Sequence, residues 1–424
     1  MPGREGRRER RLGRREILVF LAVLGPGIIV NMVDTDAGGI TTYSVSGARY
    51  GYNLLWVLTL TAVFLALIQE MIVRLGTVTG KGLAALIRER FSLRVTVFVM
   101  LVLLFTNFAN TVSNFAGLAA SLQLFHISPL IAVPPLALAI WWLVVKGTYK
   151  RVEKIFLVIS LVYIAYFVSA AMAGPDWSEV GRSLVVPNLS METPYLVLAV
   201  TNIGTTIAPW MLFYQQSSIV DKGLDAEKMV YERADTLVGV FFAVVVGMFI
   251  IICCAAAFYY KPGVGTFNIT SAEEAAAGLA PVAGRYASYL FGFGLFSASL
   301  FAASILPLTT AYTVCEAFGW EAALDRPYRE AFQFYSTYTL FIVGSALLVM
   351  IPHINLVFIM VSSQTLNGIL LPVIVTYMMI LANDRELMGE YTNTSRFNAV
   401  MWVVVIVLYL INVAMIVSTF LPSG

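Results

Sequence analysis

Apolar residues run along this chain in stretches long enough to cross a bilayer, with polar residues gathered in the short gaps between them. A membrane-spanning helix needs about 20 such residues. Eleven segments qualify, at about 17–47, 53–75, 95–123, 128–147, 153–173, 193–219, 232–260, 281–317, 332–352, 354–381 and 397–421. Two of them break in the middle. The first segment carries Gly25-Pro26-Gly27 and then Asp34-Thr35-Asp36-Ala37-Gly38-Gly39, and the sixth carries Gly204-Thr205-Thr206-Ile207-Ala208-Pro209. Backbone N–H and C=O groups cannot be left unpaired in lipid, so an interrupted helix survives only where it lines protein or a water-filled cavity. Paired interruptions in corresponding places of two halves mark a transport site. The breaks lie five segments apart, and an odd repeat length inverts the second copy. The pattern therefore predicts an all-α membrane protein with eleven transmembrane helices. A five-plus-five inverted repeat, 17–175 and 193–382, has broken helices 1 and 6, and an eleventh helix, 397–421, is appended to it.

Composition agrees with that pattern. Of 424 residues 59% are hydrophobic and 12% charged, against roughly 25% charged in a soluble domain. Mean hydropathy is +0.82, which leaves little room for an extramembrane domain. The net charge of +2 hides a basic tail over residues 1–16, with Arg4, Arg7, Arg8, Arg10, Arg11, Arg14 and Arg15. Beside so apolar a chain this reads as a disordered cytoplasmic tail held by anionic headgroups, not as a nucleic-acid arm. The loops repeat the asymmetry. One set holds Arg74, Lys81, Arg88, Arg90, Arg94, Lys146, Lys150, Arg151, Lys154, Lys222, Lys228, Arg233, Arg326, Arg329, Arg385 and Arg396; the other holds Arg49, Arg182, Lys261 and Arg285. The Lys/Arg-rich side is cytoplasmic. The N-terminus is then inside, the C-terminus outside, and the expected place is the plasma or inner membrane. Cys253, Cys254 and Cys315 sit in apolar runs as buried thiols, and His126 and His353 fall near helix ends, so no His or Cys metal cluster is expected.

Asp36 is the sharpest residue. A carboxylate within a membrane span is expensive and marks function by default. Ala37, Gly38 and Gly39 favour an unwound stretch whose carbonyls, with the carboxylate, converge on a cation; Asp36 would also cap the half-helix that starts near Ile40. Asp34 falls on a different face and is expected to be a hydrogen-bonded structural group. Glu70 is expected to pair with Arg74 at i,i+4, and Glu316 and Glu321 to be interfacial. Gln215-Gln216-Ser217-Ser218 either lines the inner exit or serves as packing glue.

The stretch Gly25-Pro26-Gly27…Asp36-Ala37-Gly38-Gly39-Ile40-Thr41-Thr42…Gly51-Tyr52-Asn53-Leu54-Leu55-Trp56 resembles the NRAMP family of divalent-metal transporters. Arg74-Leu75-Gly76-Thr77-Val78-Thr79-Gly80-Lys81 after the second helix and Asp384-Arg385-Glu386-Leu387-Met388-Gly389-Glu390 after the tenth extend the likeness over about 24–393. The resemblance implies a LeuT-like fold and a metal site at Asp36, Gly39, Thr205, Ala208 and Gln364. It also implies departures. The family's metal-binding Asn is replaced by Gly39, its methionine thioether by Ala208, and Thr205 takes the position of a liganding carbonyl. Thioether suits soft or borderline metals, whereas carboxylate, carbonyl and water suit Mg, Ca and Mn. Gln364 matches a family glutamine and would hold one of the ion's waters, or an interhelical hydrogen bond. This set is similar to that of the NRAMP-related magnesium transporters.

The family's proton path is replaced too. Thr111 and Asn114 stand at its helix-3 carboxylate positions, Trp210 and Gln215 at its helix-6 histidine positions, and none of the four exchanges protons near neutral pH. Trp210, beside Pro209, is expected to plug the space of a missing histidine. The expectation is a monomeric carrier of Mg²⁺ and Mn²⁺, uncoupled from protons, with the ion as substrate and no cofactor. A proton-coupled Mn²⁺/Fe²⁺ symporter and a sodium-coupled organic-solute carrier of the same fold remain open. A membrane enzyme is disfavoured, because Asp34 and Asp36 are too close in sequence to form a facing aspartyl pair.

Overall fold

A computed structural model describes residues 26–145, 163–261, 265–320 and 328–420. The basic tail, Gly25, Lys146, Lys150, Arg151, Lys154, Glu321, Arg326 and the first half of the fifth segment lie outside the described residues. The helices are α1 (Pro26–Asp34), α2 (Ala37–Tyr50), α3 (Leu55–Thr79), α4 (Leu93–Leu124), α5 (Pro129–Val145), α6 (Ile164–Ala173), α7 (Thr193–Thr206), α8 (Pro209–Asp221), α9 (Met229–Cys254), α10 (Ala287–Phe318), α11 (Phe332–Val349), α12 (Leu356–Ala382) and α13 (Ser395–Phe420). Among the described residues eight helices are long and apolar enough to cross a membrane, with α7 and α8 counted as one; α5 and α6 are shorter apolar helices. The α1–α2 pair is the broken first segment.

Both breaks fall where the pattern put them. Pro209 has no N–H to offer Thr205's carbonyl, so α7 stops at Thr206 and α8 starts afresh. In the first segment Asp36 takes extended backbone angles and caps α2 through its side chain. The two broken segments lie in the middle of the bundle. α2 packs on α9, α12, α7 and α4; α4 runs along α10; α7 lies against α12; and α1 rests on α9. An apolar 18-residue stretch within Thr193–Asp221 is 94% buried, against 33% for one within α13. α13 thus presents Val403, Leu410 and Phe420 outward as an appended, peripheral helix.

Two short helices add to the expectation. Leu83–Arg90 and Trp177–Val185 occupy stretches expected to be loops, and α3 continues four residues past its expected end at Leu75 to Thr79. Glu70 does pair with Arg74, at 3.2 Å, and also with Arg233 at 2.5 Å. Arg74 further donates to the Tyr391 carbonyl and the Asn393 side chain, at 3.0 and 2.6 Å. Arg90 joins Asp384 and Glu386 across the same face, at 3.4 and 3.0 Å.

Gly204 lets α7 touch α12. A Cβ there would run into the Gln364 carbonyl and the Gly368 backbone nitrogen, closer than real side chains come. Gly204→Ala is expected to cost about 1–3 kcal/mol through overpacking, read as a lower melting temperature of the purified protein; an unchanged melting temperature would refute this close contact.

Candidate functional site

Asp36 lies between the half-helices α1 and α2, 4% exposed. Its Oδ1 accepts from the Gly39 N–H at 2.9 Å and from Gln364 Nε2 at 3.4 Å, and its Oδ2 accepts from Asn114 Nδ2 at 2.8 Å. The capping role and a place in a polar cluster are therefore realised together. A carboxylate has about four lone-pair sites, so three donors leave capacity for a ligand.

The donors belong to a closed ring of amides. Asn367 gives one N–H to Gln364 Oε1 at 2.8 Å and exchanges hydrogen bonds with Asn110 at 2.9 and 3.0 Å. Asn114 Nδ2 also bonds the Asn110 carbonyl at 2.9 Å, and Asn114 Oδ1 accepts the Ala37 N–H at 3.3 Å. Starting and ending at Asp36, the ring passes through Gln364, Asn367, Asn110 and Asn114, all at most 2% exposed. α4 supplies two of its members and α12 the other two. Asp36 is its one ionisable side chain. Such networks rigidify what they surround when fully satisfied. Gly38 makes room for it, because a Cβ there would collide with the Gln364 amide.

A second set of oxygens faces Gly39. Around the point where a Cβ would stand lie Thr205 Oγ1 at 3.2 Å, the Asp34 carbonyl at 3.3 Å and Asp36 Oδ1 at 3.7 Å. Thr205 is 1% exposed and its hydroxyl has no hydrogen-bond partner. A buried hydroxyl without a partner is costly and leaves its oxygen available beside the carboxylate. The neighbouring Thr206 is different: its hydroxyl meets Tyr43 at 2.8 Å and the Asn202 carbonyl at 2.7 Å. The Thr35 carbonyl is taken by the Tyr163 hydroxyl at 2.8 Å.

The structure brings Asp36, Gly39, Thr205 and Gln364 together. Ala208, three residues past Thr205, is the buried N-cap residue of α8 and carries only a methyl group. Asn114 is the expected proton-path position that touches Asp36. Thr111 turns back to its own helix, donating to the Asn107 carbonyl at 2.8 Å. Trp210 is buried beside Tyr214, with ring centroids 6.1 Å apart. Gln215 donates to Thr236 at 2.9 Å and Gln216 to the Lys81 carbonyl at 2.8 Å, so this pair packs helices together.

Two expectations are overturned. Ala37, Gly38 and Gly39 are not unwound with the half-helix starting near Ile40: Asp36 caps α2 one residue ahead of Ala37, so these three form its first turn and only Thr35 and Asp36 lie between the half-helices. Asp34 was read as hydrogen-bonded, yet its carboxylate makes no hydrogen bond or ion pair among the described residues. It is 8% exposed, and its negative charge opposes that of Asp36. Asp34 ends α1 and Asp36 caps α2, and the N–H groups that open α2 turn to Asp36, leaving none for Asp34. Asn110 and Asn367 are site residues that were not singled out from the sequence. Their signal was the spacing, Asn110 four residues before Asn114 and Asn367 three after Gln364, which puts each pair on one helix face.

Comparison with known proteins follows this geometry. The structure matches that of the Eremococcus coleocola manganese transporter in complex with an aromatic bis-isothiourea substituted compound, at TM-score 0.76 and 22% identity, covering 97% of this chain and 90% of that one. A nucleobase-cation-symport-1 family transporter closed around bromovinylhydantoin matches at TM-score 0.54 and 14% identity, over 93% and 90% of the two chains. MhsT in complex with L-phenylalanine matches at 0.53 and 13%, over 93% and 97%. These likenesses give the fold: the LeuT-like five-plus-five arrangement with helices 1 and 6 broken. The family model described as natural resistance-associated macrophage protein-like matches residues 27–418. With nearly all of its membrane core matched, the chain belongs to the Nramp family.

Proposed function

We propose that this protein carries divalent cations, Mg²⁺ and Mn²⁺, across the plasma membrane by alternating access, with part of their hydration shell retained and without proton coupling. It is a transporter and not an enzyme. The observation that carries the reading is the site's chemistry: one carboxylate, an orphaned hydroxyl and backbone oxygens, closed off by neutral amides. Such an oxygen set suits hard cations.

Glycine at 39 keeps any side chain from coming between Thr205 Oγ1, the Asp34 carbonyl and Asp36 Oδ1. Mg²⁺ sheds water reluctantly, so the ion keeps part of its shell, and Gln364 and Asn114 orient waters around Asp36. Ala208 offers a methyl group and no sulfur ligand. The Eremococcus coleocola neighbour, named as a manganese transporter, supports the ion class.

Proton movement needs titratable groups in a chain. Asp36 is surrounded by Asn114, Asn110, Asn367 and Gln364, and Asp34 has no hydrogen bond linking it to them. An inside-negative potential of 100 mV already favours entry of a double charge by about 4.6 kcal/mol. The expected topology keeps the Arg74, Arg90 and Arg385 face cytoplasmic, with the N-terminus on that side, the C-terminus external and the carrier monomeric. The repeats are 17–175 and 193–382, with 397–421 added. Uptake of Mn²⁺ into protein-containing liposomes, inhibited by excess Mg²⁺, is the test; uptake that Mg²⁺ leaves untouched would contradict the reading.

A further inference from the structure

A second group of unsatisfied oxygens lies at the other end of α1. Gly27 sits nine residues before Asp36, about 13 Å along a helix axis. Its N–H donates to Asp235 Oδ2 of α9 at 2.7 Å. One turn earlier on the same face of α9 stands Glu232, and both Glu232 and Asp235 are completely buried. Neither carboxyl oxygen of Glu232 has a hydrogen-bond partner. Gln215 reaches this face from α8: its Nε2 bonds Thr236, the residue after Asp235, while its Oε1 is buried and unpartnered. Two helices, α9 and α8, thus bring oxygen acceptors to the start of α1, and the Glu232 carboxylate and the Gln215 Oε1 among them have no donor.

A buried carboxylate without hydrogen bonds is among the most expensive groups a protein can hold. The first-turn position of Glu232 in α9 gains from the helix dipole, but that offsets a small part of the cost. Lys222 provides the attractive charge that Glu232 feels, and Asp235 opposes it. Arg233, the adjacent cation, is engaged with Glu70 on another face. What the site lacks is a compact cation with room for several oxygen ligands.

We propose that Glu232, Asp235 and the Gln215 amide oxygen form a second divalent-cation site, which receives the ion after it leaves Asp36. The proposal rests on the divalent-cation reading of the central site. On the Lys/Arg-rich side of the bundle these groups flank α1 and α8, the half-helices that follow the two breaks toward that face. In this structure Asp235 holds the Gly27 N–H and ties α1 to α9. An arriving cation competes for the same carboxylate, so its arrival loosens that tie and release of the ion is coupled to the parting of α1 from α9.

Titration of the purified full-length protein with Mn²⁺, with free Mn²⁺ read by electron paramagnetic resonance, tests this. The wild type is expected to hold two ions per chain. Asp36→Asn, Glu232→Gln and Asp235→Asn are each expected to hold one, and Asp36→Asn combined with Glu232→Gln none. Both inner replacements keep side-chain shape, and an asparagine at 235 still offers an oxygen to the Gly27 N–H. One ion on the wild type and none on Asp36→Asn would overturn the inner site while leaving the central one standing. No ion on the wild type would overturn both.

Discussion

Asp36→Asn is expected to abolish Mn²⁺ uptake, by at least 100-fold, with the fold retained. Asparagine caps a helix as well as aspartate does, so the bond from the Gly39 N–H to position 36 survives. The side chain keeps its size, and what disappears is the one negative charge inside the amide ring. A double charge 4 Å from a carboxylate gains about 8 kcal/mol at an effective dielectric of 20, and a 100-fold loss asks for about 3 kcal/mol of that. Radiotracer or dye-based uptake by liposomes containing the variant, with its size-exclusion profile as a control for folding, reads the effect. Transport within threefold of wild type would remove Asp36 from the ion's path.

Gly39→Asn combined with Ala208→Met is expected to shift the preference from Mg²⁺ toward Mn²⁺ by at least tenfold. The pair returns an amide and a thioether, and sulfur ligands favour softer ions. A Cβ at 39 would sit 3.2 Å from Thr205 Oγ1 and 3.3 Å from the Asp34 carbonyl. These contacts are tight, but a few tenths of an ångström relieve them, so the asparagine fits beside Thr205 and Asp36. The check is competition: excess Mg²⁺ inhibits Mn²⁺ uptake by the wild type and does so far less in the double variant. Equal inhibition of both would mean that these two positions do not set selectivity.

Much of the fold was legible because lipid leaves few choices. Long apolar runs must be helices, and Pro209 and Asp36 interrupt them, which is where α7 and α1 end, although Ala37-Gly38-Gly39, expected to be unwound, is helical. The short helices Leu83–Arg90 and Trp177–Val185 escaped because they are polar on one side and far below spanning length. The extra turn of α3 escaped because Arg74 and Thr77 looked like loop residues; Arg74 is instead held by Glu70, Asn393 and the Tyr391 carbonyl.

At the site, Asp36 stood out as a charge where charge is costly, and Gln364 and Asn114 by resemblance. Asn110 and Asn367 did not, since an asparagine in an apolar helix serves many ends and its partner here is some 257 residues away in sequence. Glu232 and Asp235 were not singled out either: they lie in the first two turns of α9, near a helix end, and burial alone distinguishes them. Asp34 shows the opposite error. Its place on a different face from Asp36 suggested a structural hydrogen bond, but the N–H groups that open α2 turn to Asp36.

Mn²⁺-driven proton movement, followed in the same liposomes that report Mn²⁺ uptake, bears most directly on a carboxylate enclosed by amides. With a pH-sensitive dye inside, the vesicles are expected to fill with Mn²⁺, more slowly when Mg²⁺ is in excess, while internal pH stays level with that of protein-free vesicles. Acidification that rises with Mn²⁺ and disappears in Asp36→Asn would contradict the account.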